Sequence, residues 1–187
     1  MKDIDIRNAM LSRLAKQHVG DDDARIVQEM GVWNGTARVD IAVINGELCG
    51  FELKSDSDTL QRLPQQVDIY GRVFDRMTLV VGERHLEKSV KIIPSWWGVI
   101  VAAQKTRSLY LKSIKRTCKN PNQDPFVITR LLWREEILSI LNKYNLAEGV
   151  RSKTAHCLSE RLIMNLPMQI LKDEVRNTLK SRDGWRS

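Results

Sequence analysis

The chain is expected to adopt an α/β fold, a mixed β-sheet flanked by helices, with a helical appendage towards the C-terminal end. Three observations lead there. Apolar, β-branched runs of strand length recur between residues 25 and 111, and two of them are joined by the hairpin dipeptide Asn45-Gly46. Apolar residues at helical 3–4 spacing precede these runs and interrupt them. After Asn120-Pro121-Asn122-Gln123-Asp124-Pro125, a run of turn formers, the pattern is helical only. A length of 187 residues suits one domain with a small addition. Residues 1–119 are therefore assigned to a core and residues 120–187 to a helical extension packed on it.

In residues 3–17, Ile6, Ala9, Met10, Leu14 and Ala15 mark one helical face, with Asp3 and Asp5 at the positive N-terminal end. Gly20-Asp21-Asp22-Asp23 is a turn; it lacks the spaced ligands and closing glutamate of a calcium loop. Residues 25–30 read as a strand that Gly31 to Gly35 breaks. Strands at about 37–44 and 47–54 flank the hairpin turn. Asp58 or Thr59 caps a helix running to about Phe74, unless that helix begins at Pro64, which the first helical turn tolerates. Residues 77–81 form a short buried strand, and residues 85–92 a short helix ended by Pro94. Residues 97–102 and 107–111 pair as a hairpin. Residues 127–143, 154–165 and 167–181 are helical, with Leu131, Leu132, Ile137, Leu138 and Leu141 on one stripe.

Composition narrows the function classes. The hydrophobic fraction of 42% supports a packed core. No run of about 18 apolar residues is present to span a membrane, and the first residues carry no signal-peptide core. Cys49, Cys118 and Cys157 are odd in number and far apart, which fits no disulfide or zinc pattern and points to a reducing cytoplasm. His18, His85 and His156 are too scattered for a histidine-rich zinc site. The net charge of +7 is uneven: −2 over residues 1–104, +6 over 105–119 and +3 over the remainder. The basic stripe of Lys105, Arg107, Lys112, Lys115, Arg116 and Lys119 suits a polyanion, with a solvated face as the plain alternative.

The chemistry concentrates in the hairpin. Asp40 lies in the apolar run before the turn, and Glu52 and Lys54 lie in Gly50-Phe51-Glu52-Leu53-Lys54-Ser55 after it. Charges in such runs are expensive to bury without partners. An antiparallel hairpin puts Asp40 and Glu52 on neighbouring strands, and the spacing of two puts Glu52 and Lys54 on one face. Two carboxylates and a backbone carbonyl suit Mg²⁺ or Mn²⁺, which prefers hard oxygen ligands and retains water. Asp40, Glu52 and the Leu53 carbonyl are the candidate metal ligands, and Lys54 is the group that orients a water or stabilises charge on phosphorus. Arg38, two residues before Asp40, either meets a phosphate or pairs with an acid. Gln66 and Tyr70, four apart, share a helical face; they either support the site or belong to the core and its rim. Trp96 and Trp97 read as core more readily than as base-stacking platforms.

These residues resemble the PD-(D/E)XK nuclease superfamily. Val39-Asp40 stands where the family has Pro-Asp, Glu52-Leu53-Lys54 matches (D/E)XK, and Gln66 to Tyr70 looks like the Gln-x-x-x-Tyr element of its RecB-like branch. Ala37-Arg38-Val39-Asp40-Ile41-Ala42, Asp58-Thr59-Leu60, Pro94-Ser95-Trp96-Trp97-Gly98, Leu131-Leu132-Trp133-Arg134-Glu135-Glu136 and the Trp185-Arg186 end look similar to a bacterial family of small proteins assigned to that superfamily, so the likeness covers nearly the whole chain. The resemblance implies a restriction-endonuclease-like sheet and a metal-dependent nuclease, with a third acid for which Glu29 is the candidate, unless it is a surface residue, and Asp5 on the first helix the rival. It implies DNA more than RNA as the substrate, in repair, phage defence or mobile-element biology. No histidine precedes Asp40 where RecB-like exonucleases carry one, so an endonuclease is expected. Lys105, Arg107, Lys112, Lys115 and Arg116 are the expected backbone contacts, together with Arg38. A homodimer stays open. The rival expectation is a nuclease fold without catalysis that binds nucleic acid or a partner protein.

Overall fold

The computed structural model describes residues 2–33, 35–105, 108–183 and 185, with Lys105 described by its backbone alone. The fold is α/β. Six strands form one mixed sheet: β1 (Arg25–Val32), β2 (Ala37–Ile44), β3 (Leu48–Lys54), β4 (Arg76–Gly82), β5 (Gly98–Lys105) and β6 (Ser108–Lys115), each beside its sequence neighbour. β1, β2 and β3 are an antiparallel meander, β3, β4 and β5 run parallel, and β6 returns antiparallel. The two parallel crossovers carry α2 (Leu63–Gly71) and a 3₁₀ turn followed by α3 (Leu86–Val90).

Helix α1 (Asp3–Gln17) covers one face of the sheet. Its Ile6, Met10 and Leu14 pack on Ile41, Val43, Leu53, Val80 and Ile100. The opposite face packs against α2 and against four further helices, α4 (Pro125–Thr129), α5 (Arg134–Lys143), α6 (Ala155–Asn165) and α7 (Met168–Ser181). One continuous apolar cluster runs from Val27 and Met77 to Leu158, Leu171 and Leu179. The run of turn formers at 120–124 is bonded into the loop before β4. Asn120 Nδ2 donates to the Gly71 and Phe74 carbonyls at 2.6 and 2.9 Å, Gln123 Nε2 to the Val73 carbonyl at 2.7 Å, and the Asp124 N–H to the Arg72 carbonyl at 2.9 Å.

The structure settles one open boundary and shifts others. Of the two expected starts for the helix after β3 the later holds: it begins at Leu63, with Pro64 in its first turn where a missing N–H costs nothing. Asp58 instead accepts the Ser55 N–H and hydroxyl, both at 2.7 Å, and closes the turn after β3. Strand β1 runs on through Gly31 to Val32. The expected helix 127–143 is two helices, α4 and α5. Asp124 caps the first through the Phe126 N–H, and Glu136 caps the second by accepting the Trp133 N–H at 2.6 Å. Leu131 and Leu132 are buried in the break, so the apolar stripe survives although the helix does not.

Strict alternation fails where β1 meets β2, apart from a register shift between β5 and β6 at Val99/Ile100. Val27 and Met30, three apart on β1, face the same core, as do Val39 and Ala42 on β2. A regular strand would turn each pair to opposite faces. Both phase slips fall at the Glu29–Asp40 position, the one step missing from an otherwise continuous register between these strands. Glu29 has a φ of 53°, a left-handed conformation that a side chain seldom adopts in a strand.

Candidate functional site

The irregular step in β1 and β2 opens a cavity of about 700 Å³. Asp40, Glu52, Leu53, Lys54, Glu29, Arg38 and Gln66 all line it. The β2–β3 ladder ends at Ile41–Phe51, just short of the acids. The Leu53 N–H, left without a strand partner there, donates to Asp40 Oδ2 at 2.8 Å. A residue in a strand directs its N–H and C=O to the same neighbour, so the Leu53 carbonyl also faces the Asp40 side. Glu52 and Lys54 are 1% and 5% exposed and meet at 2.6 Å.

The sequence reading missed Arg7. Projecting from α1, its guanidinium contacts Asp40 Oδ1 at 2.7 Å, the Asp40 carbonyl at 3.1 Å, Glu29 at 2.7 Å and Asp3 at 3.3 Å. It joins Glu29 to the site and holds Asp40 in place. The only signal in the sequence was its position beside Ile6 on the face of α1 that packs on the sheet. Asp5, the rival third acid, turns away and accepts the Lys2 N–H at the start of the helix. Asp3 lines the cavity instead.

Gln66 and Tyr70 stay together. Gln66 lines the cavity and its Nε2 reaches the Tyr70 hydroxyl at 3.5 Å; the Tyr70 ring is buried against Trp97 and Phe74, and its hydroxyl donates to the Arg38 carbonyl at 2.7 Å and lies beside Glu52. Trp97 is fully buried, so it has no face to offer a base. Arg38 is exposed and has no acid partner among the described residues. Lys112, Lys115 and Arg116 do not line the cavity. Lys112 and Lys115 share sheet rows with Lys54 and Glu52, but β6 is three strands from β3, about 14 Å across the sheet. The charges cluster in sequence because they follow one strand, and that strand is the far edge. Arg107 lies outside the described residues, and of Lys105 only the backbone in β5 is described.

Burial raises both carboxyls. Asp40 is pushed above its ordinary value by burial, against the pull of the Leu53 N–H, Arg7 and Lys54. Glu52 is pushed from 4.5 to about 7 by burial and by Asp40, only partly offset by Lys54. An acid whose folded value is raised binds its proton longer in the folded state than in the unfolded one, so stability is lost as pH climbs from about 5 through 7. Urea melts of the metal-free protein at pH 5 and pH 8 will show that loss in the wild type and a smaller one in Glu52→Gln. Parallel losses in the two proteins would place the titration elsewhere.

Two buried oxygens at this cavity have no hydrogen-bond partner among the described residues, Glu52 Oε2 and Gln66 Oε1. Orphaned acceptors of this kind call for a cation or a water. Among the described residues no three His, Cys, Asp or Glu side chains form a ready ligand cluster. The donor set is two carboxylates with spare lone pairs, a backbone carbonyl and a carboxamide. That set fits a Mg²⁺-like ion, which takes one or two carboxylates and keeps several waters. No helix among the described residues is long and apolar enough to cross a membrane.

Comparison with known proteins places the chain in a family. The family described as Bacteriophage P4 protein cII matches residues 1–187. Protein cII of Enterobacteria phage P4 is 31% identical over 186 residues, covering 97% of this chain and 68% of that protein. Among solved structures, Pyrococcus furiosus SfsA in complex with Ca²⁺ aligns with a TM-score of 0.35 at 11% identity over 64% of each chain, a likeness too slight to argue from. The family matched is named for a phage protein, where the sequence led us to expect a bacterial nuclease-like family. With the whole length matched, the chain belongs to the bacteriophage P4 protein cII family.

Proposed function

We propose that the protein is a Mg²⁺- or Mn²⁺-dependent DNA endonuclease of the PD-(D/E)XK type. One observation carries the reading: Asp40, Glu52, the Leu53 backbone and Lys54 meet at a strand break in a single cavity, with Glu52 Oε2 left unsatisfied. Asp40, Glu52 and the Leu53 carbonyl would hold the ion, with Gln66 within the same cavity. Bound there, the ion would neutralise phosphate charge and ease deprotonation of water. Lys54, fixed by Glu52 at 2.6 Å, is placed to orient that water or to meet charge on the phosphoryl oxygens. Arg7 keeps Asp40 and Glu29 facing the cavity, and Arg38 and Arg62 at its rim supply positive charge for a phosphodiester backbone.

The test is cleavage of supercoiled plasmid and single-stranded DNA with Mn²⁺ or Mg²⁺, comparing wild type with Asp40→Ala and Lys54→Ala. The wild type is expected to cut and both variants to lose at least about a hundredfold in rate, the scale of removing one positioned catalytic group. Equal activity in all three would assign the cleavage to another site or a contaminant. Nucleic-acid binding by the wild type with no Mn²⁺ uptake by calorimetry would favour the non-catalytic module.

A further inference from the structure

We propose that a single strand of nucleic acid leaves the acid cavity across the β1 edge of the sheet, along a groove between Arg38 and Arg130, rather than over the basic strand β6. The end point of this path rests on the nuclease reading; the groove is argued from its own residues. Three cavities lie in series. The acid cavity and a second of about 300 Å³ share Gly35 and Arg38, and the second shares Arg130, Leu132 and Trp133 with a third of about 290 Å³. Together they make one trough from the site to the start of α5.

The charge changes along the trough: the acid cavity carries five carboxylates and the third cavity carries Glu135, whereas the middle one is positive. The second cavity is lined by Arg38, Arg130 and Arg182 and by no carboxylate among the described residues. Arg182 is committed, to Glu136 at 2.8 Å and to the Leu131 carbonyl at 2.9 Å. Arg38 has no acid partner among the described residues, and Arg130 lies over the Phe126 ring at 5.9 Å. Two guanidinium groups facing the middle cavity, neither in an ion pair among the described residues, favour an anion from outside. The trough is also aromatic: Trp133 and Trp185 line the second cavity, Arg182 stacks over them at 4.3 Å and 4.7 Å, and the buried Trp185 indole N–H finds no acceptor among the described residues. Positive grooves interleaved with aromatic rings are the common design for unpaired strands. The middle cavity, at about 300 Å³, has the size of a small-ligand pocket and suits a single base at a time.

The test uses the full chain in EDTA, so that cleavage does not intrude. Fluorescence anisotropy would follow a labelled oligonucleotide of about 20 nucleotides, longer than a typical single-strand site, as DNA, as RNA and as the DNA duplex. The variants are Arg38→Glu/Arg130→Glu, the milder Arg130→Ala, and Lys112→Glu/Lys115→Glu on β6, each checked for a wild-type urea midpoint. Expected are at least tenfold weaker strand binding in the groove double variant, a partial loss in Arg130→Ala, and less than twofold change in the β6 variant. The salt dependence of the groove variant should flatten by about 1.4 in log–log slope, the share of two phosphate contacts on a single strand. The DNA and RNA arms decide which strand is held. A larger loss in the β6 variant, tighter binding of the duplex than of either strand, or no strand binding at all would overturn the proposal. Binding as stated without any metal-dependent cleavage would remove the nuclease reading and leave the groove. Cleavage that survives the groove reversals unchanged would remove the groove and leave the nuclease.

Discussion

Replacing Glu52 by glutamine is expected to slow metal-dependent DNA cleavage by at least ~10³-fold, equivalent to losing about 4 kcal/mol of transition-state stabilisation. The substitution is chosen for what it keeps. Glutamine has the shape of glutamate, and its carbonyl oxygen can still accept from Lys54, which Glu52 Oε1 now meets at 2.6 Å. What changes is the second oxygen. Glu52 Oε2 is buried and unsatisfied, the atom best placed to take a cation; an amide nitrogen there donates and repels one. Calorimetric Mn²⁺ titration alongside the rate should show binding weakened together with cleavage, while the urea midpoint near pH 5, where Glu52 is largely protonated in the wild type, stays close. A variant that cuts within fivefold of wild type would remove Glu52 from the chemistry.

The second large effect is on stability. Asp75→Ala should lower unfolding free energy by about 3–5 kcal/mol, the usual result of removing one partner from a buried ionic cluster. Asp75 is 2% exposed at the entrance to β4. It accepts the Leu48 N–H at 2.8 Å and pairs with Arg176 at 3.2 Å and with Lys172, both on α7. Its loss leaves two nearly buried cations on α7 short of their carboxylate and a strand N–H without an acceptor. Lys172 keeps only Gln123 Oε1 at 2.7 Å, and Arg176 keeps Asp173 on the surface. The measurement is urea unfolding, where the midpoint should fall with little change in slope. Hydrogen exchange should show α7 opening first, because its apolar contacts at Leu171, Val175 and Leu179 depend on the same docking. A change under about 1 kcal/mol, the scale of an exposed pair, would mean that the apolar stripe alone holds α7.

Much of the architecture was legible because it is local. The apolar runs and the turn formers between them set β2 beside β3, but a two-residue Asn45-Gly46 turn would have paired Ile44 with Glu47; the loop takes in Glu47 as well, and Ile44 pairs with Leu48 and Ile41 with Phe51. Counting on from the observed register sets Asp40 level with Glu52, where the two-residue turn would have set it level with Phe51, so the sequence put the acids on neighbouring strands without fixing their alignment; the period of two placed Lys54 beside Glu52. The positions of α1, α6 and α7 followed from 3–4 spacing for the same reason: the periodicity is a property of consecutive residues.

Other features could not be read this way, because each depends on residues far apart in the chain that no local period links. Arg7 reaches Asp40 across 33 residues, and nothing in the pattern of α1 marks it apart from any other helix arginine. The phase slip at Glu29 and Asp40 is a joint property of two strands, visible only once they are paired. The division of the 127–143 helix depends on Glu136 being held by Arg182, 46 residues on, while Leu131 and Leu132 are drawn into the core. The basic stripe is the converse case: Lys112 and Lys115, close in sequence, are carried to the far edge of the sheet, while Arg38, Arg62 and Arg130, scattered along the chain, come to border the cavity and its trough. Sequence periodicity decides which residues form strands and helices and which face they share. Long-range packing decides which of those faces meet, and the charges around Asp40 and Glu52 are set at that second stage.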